Sequence, residues 1–382
     1  MTEPPGGPVV VLTHFFAPAV KAGGPVQSLA ALTGSELGHR VRVLAGDRDL
    51  GDAEPMSGTD RGVWTRHGSG QVMYFDAHDV RSVWRALRTI RSLSASHVYV
   101  NSLFAVSTGL LPLLLARLRL LGSGRLVLAP RGQLDPGALT LSATRKRVVL
   151  RLLRLLGLLD GVRWHATSEL EAGHIRQVVG DDADVCLALP VPATAASADV
   201  GTRPSVPLRL LFLSRISPKK GLDTLLLALA VVPEPVRLDV YGPSDDVSYA
   251  AKCEALASQL PPIHQVTFRG SVPHEQVGQL MQAADAFVLP TQGENFGHAI
   301  FEALAAGCPV VLTPTTPWTE AVRGGAGWLV DAGDVTGLGQ TLSAAAAASA
   351  ADFRRMSELA AGAAAAYRRR AEDRNGWAQL FA

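Results

Sequence analysis

The chain has little cysteine, few aromatic residues and few charges. Its three cysteines, Cys186, Cys253 and Cys308, are odd in number and far apart among 382 residues. That pattern frames neither a disulfide scaffold nor a zinc site, and the thiols read as buried groups in a reducing cytoplasm. Charged residues make up 18% and aromatics 6%, against 47% hydrophobic. Such a composition excludes a disordered chain, and a net charge of +2 excludes a strongly basic nucleic-acid binder. The charge is uneven, at +5 for residues 1–190 and −3 for the rest, which suits an N-terminal half that meets something anionic. No long apolar run is present. The best candidate, Leu103 to Leu121, is broken by Pro112, Arg117 and Arg119 and is too short and too charged to span a bilayer. The opening MTEPPGGPVVVLTHF lacks a basic segment ahead of an apolar core, so no signal peptide is expected. G-x-S-x-G and H-E-x-x-H strings are missing, which speaks against a hydrolase, and so is G-x-G-x-x-G.

What is present is a series of short apolar runs separated by helix-like segments. A chain of this length can build two domains with separate cores. Pro8 to Thr13 is a Val-rich run of the kind found in central parallel strands. The loop after it carries Gly23 and Gly24, a helix is expected from about Val26 to Leu37, and the next strand is Val41 to Ala45. This βαβ opening could bring bare backbone close to a diphosphate, although by spacing alone it is an ordinary flexible turn. Residues 190–207 (PVPATAASADVGTRPSVP) lack periodicity and read as a linker, after which Leu208 to Leu213 starts a second set of strands. The expected division is an N-terminal domain over 1–190, a linker over 191–207, a second domain over 208–365, and a C-terminal helix over 366–382 that crosses back to the first domain, with Trp377 and Phe381 as anchors.

The most informative stretch is Phe287 to Thr313, FVLPTQGENFGHAIFEALAAGCPVVLT. It reads as strand, loop, helix (about Phe296 to Ala306) and strand, with Gly307 ending the helix. His298 and Glu302 share one face of that helix at i, i+4 spacing. Glu294 stands in the loop ahead, beside the free amides of Asn295, Phe296 and Gly297. A helix start after a strand can hold an anion, and two carboxylates there can accept hydrogen bonds from hydroxyls. Taken alone, the pair reads sooner as a helix charge, Glu294, and a buried acid satisfied by backbone, Glu302.

The whole string E-N-F-G-H-A-I-F-E-A-L-A-A-G-C-P-V-V closely resembles the donor-site signature of the retaining glycosyltransferases of family four. That resemblance implies the GT-B fold, an α/β architecture of two doubly wound Rossmann-like domains with an inter-domain cleft. It places the transferred sugar on Glu294 and the ribose hydroxyls on Glu302. Arg215 and Lys220, in SRISPKKG, resemble the family's diphosphate-binding pair, and Gly23 and Gly24 fall where a Gly-Gly loop contacts donor phosphates. Leu238 to Gly242 resembles the loop near the nucleotide, and VTFRGSV, with Arg269, the segment that cradles the base. YVNSLF, APRGQL and WHATSELE look like the branch that includes bacterial exopolysaccharide and antibiotic-type sugar transferases. Relatives often have a His near the end of the strand Val98 to Val100; here no His stands at that point, and the contact is either lost or passes to Asn101. Acceptor-side candidates are therefore Asn101, Arg131, Asp135 and His165, with Asp135 equally readable as an Asx-turn before Pro136.

The resemblance implies a hexosyltransferase with a nucleoside-diphosphate sugar as co-substrate, no cofactor and no metal, because the basic pair supplies the charge. Asp47-Arg48-Asp49 mimics a D-x-D metal motif, but that reading leaves Glu294 and Glu302 unexplained. Arg81, Arg85 and Arg88, and again Arg147, Arg151 and Arg154, form basic stripes on helices; these are either solvated faces or contacts to an anionic membrane surface. A cytoplasmic protein, free or peripheral on the inner membrane face, with a sugar, lipid-linked or small-molecule acceptor and no nucleic acid, is the expectation. The alternatives are a nucleotide-sugar epimerase of the same fold and a non-catalytic nucleotide-sugar-binding subunit.

Overall fold

Short Val- and Leu-rich runs become strands buried on both faces. In the computed structural model, residues 6–140, 143–190, 206–244 and 246–382 are described, without the side chains of residues 140 and 143. The described residues up to 190, together with Ala371–Ala382, form one unit; those from 206 to Arg370 form another. Apart from its last two positions, the expected linker lies outside the described residues.

The first unit contains β1 (Val9–Thr13), β2 (Val41–Gly46), β3 (Trp64–His67), β4 (Gly70–Phe75), β5 (His97–Val100), β6 (Arg125–Leu128), β7 (Arg163–Ala166) and β8 (Val185–Leu187). They lie in the order β3-β4-β2-β1-β5-β6-β7-β8, parallel except for the antiparallel pair β3 and β4. All five residues of β1 are buried, as expected for a strand with a covered sheet on either side. One face carries the helices Val80–Ser92, Leu111–Arg117 and Ala143–Leu155, packed through Ile90, Leu113, Leu150 and Leu153. The other face carries Gly24–Gly34, through Leu29 and Leu32, and the final turns with Trp377, Leu380 and Phe381. Trp377 and Phe381 stack on each other, 6.0 Å apart with planes 12° from parallel. The first helix starts two residues earlier than the sequence suggests and ends at Gly34, because Ser35 turns extended and the chain continues as a short 3-10 helix, Glu36–Arg40.

The second unit contains β9 (Leu208–Leu213), β10 (Val236–Tyr241), β11 (Gln265–Gly270), β12 (Ala286–Leu289), β13 (Val310–Leu312) and β14 (Gly327–Leu329). Their order is β11-β10-β9-β12-β13-β14, and every pair is parallel. The sheet grows outward from β9 in one direction and then restarts at β12 in the other, so β9 and β12 flank the point where strand order reverses. Ligands of doubly wound sheets bind there, beyond the carboxyl ends of the strands. In the first unit, β1 and β5 flank the corresponding point. Both units are Rossmann-like. No described helix is long and apolar enough to cross a membrane.

Candidate active site

The switch point of the second unit is closed by two loops that touch. After β9 the chain passes Arg215 and turns at Gly221, whose φ is +72°. A Cβ there would lie 2.3 Å from the Pro290 carbonyl oxygen, so the residue has to be glycine for both reasons. From the other side, the Lys219 carbonyl accepts the Gln292 N–H at 2.8 Å and the Thr291 hydroxyl at 3.1 Å. This stitching sets Lys220 against Glu294, and the two form an ion pair in which each side chain is only 13% exposed. The Glu294 N–H donates to the Thr315 carbonyl at 3.2 Å, and Thr313 and Thr315 hydroxyls donate to the Thr291 carbonyl. The carboxylate therefore stands on a loop fixed from both neighbouring strands.

Gly297, in the left-handed region at φ +76°, caps the helix His298–Ala305, two residues shorter at its start than the sequence suggests. Asn295 and Phe296 lead into that cap, and Phe296 is buried with its carbonyl held by the Trp318 indole N–H at 2.6 Å. The His298 ring packs edge-on against Phe296 at 4.7 Å. One turn on, Glu302 is largely buried, its side chain 14% exposed, and desolvation pushes its carboxyl up to about 8; His274 Nδ1 lies 3.6 Å from its Oε1. Glu294, Lys220, Asn295, Gly297, His298 and Glu302 are thus gathered on adjoining loops and one helix. Arg215 is exposed just past the end of β9. Arg269 is not drawn in: its side chain is paired at 2.9 Å with Asp239 on the neighbouring strand, and β11 is the edge of the sheet.

In the first unit Gly23, at φ +66° with open space where a Cβ would go, precedes the helix that begins at Gly24. The loop before it is pinned by Asp49, whose carboxylate accepts the N–H groups of Val20 at 2.8 Å and Lys21 at 3.0 Å. Asp47 instead pairs with Arg61. The D-x-D residues are therefore engaged in the fold, and among the described residues no group of three or more His, Cys, Asp or Glu could hold a metal.

Asn101, Arg131 and His165 form one network at the carboxyl ends of β5, β6 and β7. Arg131 donates to Asn101 Oδ1 at 2.7 Å and to the Tyr99 hydroxyl at 2.9 Å. Tyr99 donates to His165 Nδ1 at 2.8 Å, and His165 Nε2 donates to the Ala188 carbonyl at 2.9 Å. That tautomer follows because the carbonyl can only accept. Burial, with Arg131 second, lowers the His165 imidazole to about 3, so it is neutral with both nitrogens used. His165 is a support for Arg131 rather than a ligand group. Asp135 caps the short helix Pro136–Thr140, accepting the Ala138 N–H at 3.1 Å. Two residues of this network are not evident in the sequence. Tyr99 sits in an otherwise apolar strand; Glu171, 2% exposed, accepts the Gly132 N–H at 2.7 Å and the Thr167 N–H at 2.8 Å. Their only sequence signal is a polar residue placed where the pattern demands burial.

The profile of the family described as "Glycosyl transferases group 1" matches residues 197–356. D-inositol 3-phosphate glycosyltransferase of Segniliparus rotundus is 33% identical over 178 residues, covering 42% of this chain and 39% of that protein. Phosphatidyl-myo-inositol mannosyltransferase of Mycobacterium leprae is 30% identical over 195 residues, covering 47% of this chain and 50% of that one. The chain spans about two fifths to half the length of these curated relatives. Among solved structures, sucrose-phosphate synthase from Thermosynechococcus elongatus superposes with a TM-score of 0.69 at 19% identity, covering 98% of this chain and 96% of that one. Anabaena HepE in complex with UDP and glucose gives 0.71 at 18%, covering 96% and 98%. These likenesses show the fold. The matched residues, 197–356, contain the paired loops around Lys220 and Glu294 and are similar to the glycosyl transferases group 1 family.

Proposed function

We propose that the chain is a retaining glycosyltransferase that moves a hexose-type sugar from a nucleoside-diphosphate sugar to an acceptor hydroxyl of a polysaccharide, a lipid-linked glycan or a small molecule. The observation that carries this reading is the Lys220–Glu294 pair at the switch point of a family-matched domain. Arg215 and Lys220 face the diphosphate, helped by the amides ahead of His298–Ala305. As the bond from the anomeric carbon to the leaving phosphate oxygen lengthens, the sugar gains oxocarbenium character. The acceptor oxygen attacks the same face, and its proton passes to the leaving phosphate, so configuration is retained. Glu294 positions the sugar hydroxyls, which contributes through orientation rather than covalent catalysis. Glu302 accepts from the ribose. Gly23 and Gly24 meet the donor phosphates, and Asn101 and Arg131 form the acceptor side. The basic pair supplies the charge, so the reading needs no metal or cofactor. UDP in the Anabaena structure makes UDP-hexoses the first donors to test, with GDP-hexoses next. A place in the cytoplasm, with peripheral contact to the inner membrane face, belongs to the same reading.

Thermal shift against UDP-, GDP-, ADP- and dTDP-sugars, followed by transfer assays, tests it, because a ligand of the folded state raises its stability. Glu302→Ala is expected to cost about 1.5–3 kcal/mol of nucleotide affinity. Glu294→Ala should cut transfer more than affinity. Wild-type transfer by both variants would remove this site from the reaction.

A further inference from the structure

At the β14 edge of the second sheet, that strand and the helix Val335–Ala346 wall a cavity of about 540 Å³. The helix divides its residues by side. Leu338, Leu342 and Ala345, at i, i+4, i+7, are buried. Gly337, Gln340, Thr341 and Ala344, at i, i+3, i+4, i+7, line the cavity instead. Gly337 and Ala344 leave room at the two ends, and between them stand an amide and a hydroxyl. Trp328 of β14, partly buried against the core, lines the same space, and Asp331 follows just past the strand. Asp334 caps the helix, its Oδ1 accepting the Gly337 N–H at 2.9 Å, and also borders the cavity. Among the described residues, no hydrogen bond or ion pair occupies the Trp328 indole N–H, the Asp331 carboxylate, the Gln340 amide or the Thr341 hydroxyl. A carboxylate, an amide and a hydroxyl thus border one cavity with an indole, their hydrogen-bonding capacity unused.

We propose that this cavity is a carbohydrate-binding site, separate from the nucleotide-sugar pocket, that seats a neutral sugar unit of a glycan. A pyranose has a C–H face, which covers an aromatic ring, and a rim of hydroxyls, which donate to carboxylates and exchange hydrogen bonds with amides and hydroxyls. A nucleotide would also stack on the indole, but its phosphates would meet Asp331 and Asp334. Arg323, the cation on the rim, is already paired with Glu320 at 2.6 Å. A peptide adding as a strand finds an edge of three residues, Gly327–Leu329, which is too short to hold it. Pro314, also on the rim, lies between Thr313 and Thr315, whose hydroxyls donate to the Thr291 carbonyl ahead of Glu294. A glycan held there stays beside the transfer site; that use rests on the proposed reaction, whereas the binding does not.

The test is saturation-transfer NMR on the full chain with the methyl α-glycosides of glucose, mannose and galactose. At least one should bind with a Kd on the order of 1 mM, and an α-linked trisaccharide of the same sugar should bind more tightly. UDP should leave the signal in place. Trp328→Ala should weaken binding about ten-fold. Because Trp328 also packs on the core, a second variant combines Asp331→Asn with Gln340→Ala, both exposed positions. It should keep the wild-type circular dichroism and weaken binding about five-fold or more. No signal from any of the three glycosides would overturn the proposal. So would full binding by the Asp331 and Gln340 variant, displacement of the sugar by UDP, or tighter binding of tetramethylammonium, which would mark a cation cage. The thermal shift with nucleotide sugars should be the same in both variants as in wild type. Its absence from all three would count against the transfer reaction and leave the glycan site standing.

Discussion

Glu302 offers a sharp test because its ionisation and its proposed work are coupled. Its carboxyl is pushed up to about 8 by burial, so the unliganded chain keeps it largely protonated at pH 6. To accept hydrogen bonds from two ribose hydroxyls, one at each carboxylate oxygen, it must ionise. At pH 6 that costs two units, or about 2.7 kcal/mol, and the cost vanishes above pH 8. Affinity for a nucleoside-diphosphate sugar, which itself does not titrate in this range, should therefore rise about ten-fold per pH unit from 6 to 8 and then level off. Calorimetry in buffers of different ionisation enthalpy should detect about one proton released per ligand bound near pH 6.5. Glu302→Gln should bind more weakly at pH 8 and show no slope. His274 lies 3.6 Å away, so His274→Gln is the control that removes the neighbouring imidazole while leaving the slope. A flat profile in the wild type, or the same slope in Glu302→Gln, would refute the reasoning. Without ligand the sign reverses. The folded state holds this proton more tightly than the unfolded chain, so stability should decline as pH rises from the ordinary carboxylate range to about 8.

Lys220→Ala should lower stability by about 3 kcal/mol in denaturant titrations, because it strands the largely buried Glu294 carboxylate. It should also reduce turnover by about 100-fold or more, and unchanged turnover would make the pair purely structural. Glu171→Ala removes the acceptor of the Gly132 and Thr167 N–H groups, at a cost of about 3 kcal/mol. Arg131 sits beside that anchor in the left-handed region at φ +53°, so acceptor KM should rise while donor affinity stays constant.

The loop that carries Glu294 was legible because its signals are local. An apolar run ends at Pro290, glycine marks the turn, and a helix pattern follows. The placement of Lys220 on Glu294 was not, since it depends on two loops distant in sequence meeting where strand order reverses. That meeting requires the close approach at Gly221, and a lone glycine does not announce which backbone will press against it. The pairing of Arg269 was hidden for a similar reason. An arginine in a motif-like segment looks available, yet the pleat aims it at Asp239. His165 and Tyr99 show how a buried polar chain hides in strands: the pattern reports burial, while the partners come from neighbouring strands.

The last helical turns have a consequence for the order of events during synthesis. Trp377, Leu380 and Phe381 cover the face of the first sheet that includes Val9, Val11, Tyr99 and Val127. Nearly 180 residues, those of the second unit and the segment leading to it, emerge between residue 192 and Ala371. At about 5–20 residues per second, that leaves this apolar sheet face without its cover for on the order of 10–40 s. During that interval the ribosome-bound first unit is a natural client for chaperones, and it reaches its mature form only when a second, separately folded body has already been made.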